Sequence, residues 1–126
     1  MYKVGKIDVV KYKCITPDIT TDEVVITQER IEHIKARHPG DYEVIEPYLE
    51  LALRYPDFIL EDGKHENTGL ILKQITENDL RFQIIIKIHT SVDEPQFSNS
   101  ILSAWKISED RWKCYINNKK ILYKSE

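Results

Sequence analysis

The chain has 126 residues, 41% apolar and 31% charged, with a net charge of −3 at pH 7. A length of that order fits one domain, residues 1–126, that buries its core without a disulfide or metal staple. The acidic balance excludes the large positive excess of a protein that coats duplex nucleic acid, so any RNA contact must use a local basic pocket.

The opening Met1–Lys6 lacks the apolar stretch of a signal peptide, and no run approaches the roughly 20 apolar residues of a membrane span. A cytoplasmic location is therefore expected. Cys14 and Cys114 stand far apart with no CxxC pair, and they read as two buried or half-buried free thiols. Lys3–Ile15 is rich in Val, Ile and Tyr and predicts one or two short strands, closed at Pro17; residues 1–22 read as an N-terminal strand extension, either an added strand pair or a partly separate arm. Thr27 is a candidate N-cap for a helix over about Gln28–His38, which Pro39-Gly40 stops. Ile31, Ile34 and His38 share its apolar side, whereas His33 lies on another flank beside Arg30 and Arg37. A second helix is predicted over about Asp41–Arg54 with Asp41 as its cap, although Pro47 pushes its start toward Glu46.

The period then changes to that of strands. Phe58–Leu60, Leu70–Ile75, Arg81–Thr90 and Asn99–Ile107, separated by short polar connections, predict an antiparallel meander. Ser108 caps a short helix to about Asn117, and Ile121–Tyr123 adds an edge strand. The predicted class is α+β: N-terminal helices packed on a mainly antiparallel sheet of four to five strands, with a short C-terminal helix.

Alternation assigns the faces. Phe82, Ile84, Ile86 and Ile88 share an apolar face with Trp105, and the helices should pack there. Lys73, Lys87, His89 and Ser100 gather on the other, mixed face. A wet face is ordinary for an antiparallel sheet, but lysines flanked by Ile85 and Leu102 point to a partly dry groove that needs an anionic partner.

The order of segments resembles a known family. Ile26-Thr-Gln-Glu-Arg-Ile-Glu-His-Ile-Lys-Ala-Arg-His38-Pro39 is similar to the opening helix of the phage- and mobile-element-associated nucleases whose family name groups barnase, EndoU, tRNA-cleaving colicins and RelE. Tyr55–Ile59, Leu70–Lys73, Ile86–Thr90, Asn99–Ile101, Trp105–Ile107 and Lys119–Tyr123 continue the likeness, which spans about residues 24–123. The resemblance implies helices followed by a four-stranded antiparallel sheet, with RNA as the substrate. It carries His38, Lys87 and Ser100 over as catalytic residues, each standing in a matching stretch. Face and flank geometry adds Lys73, His89, Thr90, His33 and Arg37 as substrate-binding residues.

Metal-free RNA cleavage needs a base for the 2′-hydroxyl, an acid for the leaving oxygen, and cations or donors for the phosphorane charge. Histidine, lysine and the serine and threonine hydroxyls supply these types. The histidines do not form HExxH, acidic residues lack metal-ligand spacing, and no glycine loop or GxSxG elbow is present, so neither metal nor cofactor is expected. The expected function is a metal-independent endoribonuclease, a toxin or phage-associated effector, with RNA and a cognate inhibitor protein as partners. The alternative is a non-catalytic interaction or immunity-type module of phage or mobile-element origin, which the acidic charge favours.

Overall fold

A computed structural model describes residues 1–126. In chain order the elements are β1 (Tyr2–Lys6), α1 (Val9–Tyr12), β2 (Glu23–Ile26), α2 (Gln28–Arg37), α3 (Asp41–Ile45), α4 (Leu49–Arg54) and β3 (Phe58–Glu61). They continue with β4 (Thr68–Ile75), β5 (Leu80–Lys87), β6 (Asn99–Lys106), α5 (Glu109–Asn118) and β7 (Ile121–Lys124). The α+β class and the antiparallel meander β3–β6 agree with expectation. The sheet, however, has seven strands rather than four to five, in the order β1-β2-β6-β5-β4-β3-β7. It is also mixed, because β2 runs parallel to β6.

Local chemistry explains where the helices begin and end. The Thr27 hydroxyl accepts the Arg30 N–H at 3.1 Å, capping α2, and Gly40 at φ +85° turns the chain after it. The predicted second helix is divided. Pro47 has no N–H to donate, and a 3₁₀ turn over Glu46–Tyr48 separates α3 from α4. Asp41 is not its cap: Gly40 holds that position, and the Asp41 carboxylate accepts the Lys106 backbone N–H at 3.0 Å. The start of the helical segment is thereby tied to the free edge of β6.

The first 22 residues are part of the fold rather than an arm. Their first strand exists, but the second predicted strand is helix α1, capped by Asp8, whose carboxylate accepts the Val10 N–H at 3.1 Å. Tyr12 is fully buried, and its hydroxyl donates to the Leu53 carbonyl at 2.6 Å. Ile15 crosses β4 so closely that a side chain at Gly69 would collide with it. Cys14 is half-buried, and Cys114 is exposed rather than buried.

The larger core lies on one face, where Ile31, Ile34, Ile45, Ala52 and Leu53 pack over Ile71, Phe82, Ile84, Ile86 and Ile101. Two face assignments are corrected. A bulge at Leu102 sets Ser103 opposite Ile85 and Ile101 opposite Ile86, so Ile101 and Ala104 face the helices, and Trp105, opposite Gln83, falls on the second face. Lys73 pairs with Phe82 on the helix-covered face, away from Lys87. The second face is not simply open either. Helix α5 crosses it, and Trp112, Tyr115 and Ile116 pack over Leu60, Leu70 and Leu72.

Candidate functional site

Because α5 covers the β3–β4 half of the second face, the half formed by the ends of β5 and β6 is left as the accessible strip. Lys87 on β5 faces Ser100 on β6 in the strand register, and both line a cleft of about 360 Å³ with His89. The Lys87 ammonium stays exposed while Ile86 beside it is fully buried, as the alternation predicted. The far wall is the 91–98 loop, which contributes Asp93, Glu94 and Phe97. A cation and a hydroxyl side by side can hold one phosphate oxygen pair, and the two carboxylates opposite can accept N–H donors.

Buried polar groups shape that loop. Asn99, fully buried, accepts the His89 backbone N–H at 2.8 Å and donates to the Thr21 and Glu23 carbonyls, locking the end of β5 to the entry of β2. The His89 Nε2 lies 2.7 Å from the Glu94 carbonyl. That oxygen can only accept, so Nε2 carries the proton and Nδ1 accepts from the Thr20 hydroxyl. With both nitrogens engaged by the protein, the His89 ring holds the loop and is not a free acid–base group. Thr90, buried, directs its N–H (2.9 Å) and hydroxyl (3.1 Å) to the Asp93 carboxylate. The hydrogen bond from the Thr90 N–H holds the Asp93 carboxyl below its ordinary pKa, and the Thr90 hydroxyl and the Lys87 charge act in the same direction.

The remaining candidates lie elsewhere. His38 ends α2 and stacks on Trp105, with ring centroids 4.6 Å apart. Ser100 pairs with Lys87 and Trp105 with Gln83, four positions apart on β5 and about 13 Å at the rise of a strand, so His38 does not share the Lys87–Ser100 cleft. His33 and Arg37 are exposed on α2. Between the two ends, the Arg30 guanidinium reaches the Leu102 carbonyl at the β6 edge, 3.5 Å away. Lys73 is a structural residue: it donates to the Tyr55 carbonyl at 2.7 Å and pairs with Asp57 at 3.6 Å.

Arg30, Asp93, Phe97 and Asn99 were not singled out from the sequence. Asn99 had one signal, its place immediately before Ser100 in a stretch that carries the resemblance. No group of three His, Cys, Asp or Glu side chains is close enough to hold a metal ion, and no helix is long and apolar enough to cross a membrane. No family model, no curated protein and no solved structure matches the chain.

Proposed function

We propose that the chain is a metal-independent ribonuclease-like domain that binds an RNA strand along β6. The observation that carries this is the Lys87–Ser100 pair, two residues from separate matching stretches that meet at one cleft on the uncovered half of the sheet. The roughly 13 Å between the ends of the strip divides the roles. Lys87 and Ser100 hold a flanking phosphate, Arg30 lies midway, and His38, fixed by Trp105, supplies the acid–base group at the scissile position. The net charge of −3 is no obstacle, because these cations act locally on one strip.

Purified protein should cleave RNA in EDTA to 2′,3′-cyclic phosphate ends, and His38→Ala should lower the rate by roughly 10²-fold with the circular dichroism unchanged. Activity that vanishes in EDTA and returns with a divalent ion would sink the acid–base scheme. A non-catalytic interaction module is the second reading. It is favoured by Val92 and Phe97, 88% and 51% exposed beside the acidic wall of the same cleft. Absence of cleavage with retained capture of a protein partner would select it.

A further inference from the structure

The 91–98 loop is more tightly built than a connection between two strands requires. The Glu94 carbonyl accepts twice, from the His89 ring at 2.7 Å and from the Phe97 backbone N–H at 3.1 Å. Ser91 donates its N–H (3.1 Å) and its hydroxyl (2.6 Å) to Asp18, and its neighbour Thr90 donates into the loop to Asp93. His89 is itself held by Asn99 and Thr20, so the backbone at Phe97 is tied, through the Glu94 carbonyl, to partly and fully buried hydrogen bonds. What this scaffold presents is an apolar ring, 51% exposed, lining the cleft that contains Lys87 and Ser100.

An aromatic ring held in the open beside a cation and a hydroxyl matches the two faces of a nucleotide. The ring offers a stacking surface for a base, while the ammonium and hydroxyl meet the phosphate. The Glu94 and Asp93 carboxylates on the cleft wall can only accept, and a base presents N–H donors on its pairing edge when it is unpaired. A paired base hides that edge and shields both of its faces within the stack. The volume of about 360 Å³ is at the small end of ligand pockets and suits one nucleotide, not a duplex.

We propose that this cleft is a single-nucleotide subsite in which Phe97 stacks an unpaired base whose phosphate is held by Lys87 and Ser100, so that the substrate is single-stranded RNA. The inference rests on the reading that the strip binds RNA, and it specifies which RNA. His89 is a positioning residue in it, acting on Phe97 through the Glu94 carbonyl.

The test uses the full chain and a fluorescent 2′-O-methyl oligonucleotide of about eight nucleotides, within the site size of single-strand binders and lacking the 2′-hydroxyl nucleophile, alongside its duplex. The single strand should bind at least tenfold more tightly than the duplex. Phe97→Ala should weaken single-strand binding roughly tenfold with the salt dependence unchanged, because the ring touches no phosphate. Phe97→Trp should restore the affinity, and Lys87→Ala should instead flatten the salt dependence. Duplex bound as tightly as single strand, Phe97→Ala binding like the parent, or no binding of either oligonucleotide would each overturn the subsite. Binding with these dependences but no cleavage of unmodified RNA leaves the subsite standing and removes the catalytic reading. Cleavage indifferent to Phe97 does the reverse.

Discussion

The His38 imidazole lies flat on the Trp105 indole, with ring centroids 4.6 Å apart and planes within 11° of parallel. Helix α2 ends at this contact, beyond the point where β2 stops pairing with β6, so the stack closes an edge that would otherwise be free. One ring pair thus does structural work and also positions the proposed acid–base group. Two substitutions separate those roles. His38→Phe keeps a stacking ring and should leave the melting temperature near that of the parent while abolishing most RNA cleavage. His38→Ala should lose both, with a stability cost of about 0.5–1.5 kcal/mol for the aromatic pair. Parent-like turnover by His38→Phe would remove His38 from the chemistry.

Lys73 tests the face assignment from the other side of the sheet. Its ammonium joins the Tyr55 carbonyl to Asp57 where α4 hands over to β3, and Asp57 in turn accepts the Gln74 N–H at 2.8 Å. Lys73→Met should cost about 1 kcal/mol of stability through the lost hydrogen bond. Cleavage per folded molecule should not change, in contrast to Lys87→Ala. Equal loss of activity in the two variants would mean that RNA reaches the helix-covered face.

Strand order in the meander, the caps at Thr27 and Ser108, and the burial of Ile86 beside exposed Lys87 were all legible, because each follows from a local pattern or a period. Three things were not. The bulge at Leu102 adds a residue that no alternation signals, and it moves Trp105 to the opposite face from the one its spacing implies. Lys73 occupies an apolar position because it reaches a carbonyl and a carboxylate brought there by distant chain, a partnership invisible in sequence. On the second face, which α5 partly covers, Gln83 is buried between Leu72 and Trp105, although its place among polar residues reads as solvated. Of the site, Lys87 and Ser100 meet as alternation requires. Separating His38 from them needed the length of β6 and the path of α2.

The cleft wall should respond to acid through Asp93. Its carboxyl sits below its ordinary pKa chiefly because the ionised form accepts the Thr90 N–H. A depressed folded-state pKa contributes stability above the unfolded value, about 3.9, and that contribution disappears as pH falls through the lower folded value. Hydrogen exchange at the Thr90 amide should therefore show full protection near neutrality and excess loss of protection below about pH 4. Asp93→Ala should be unprotected at Thr90 at every pH, with no acid transition of its own. An acid transition at Thr90 that persists in Asp93→Ala would assign the latch to another group.

Tyr12 provides the sharpest test that the first 22 residues belong to the fold. Its ring is fully buried under α4, and its hydroxyl donates at 2.6 Å to Leu53, a carbonyl near the end of α4 where helical partners run out. Tyr12→Phe keeps the shape and strands that carbonyl, so a loss of about 1–3 kcal/mol is expected in chemical denaturation. Alkaline titration gives a second reading of the same contact. Burial, ahead of the nearby Cys14 and Asp8, pushes the Tyr12 phenol well above its ordinary value. The unfolded chain then ionises first, so this stability is complete below about pH 10 and falls as pH rises toward the folded value. Tyr42, pushed up to about 12 by burial and then by Glu46, contributes a component of the same sign. Tyr12→Phe should accordingly decline less steeply than the parent above pH 10 without becoming flat. A variant as stable as the parent, with the same alkaline slope, would show that Tyr12 is not seated against Leu53.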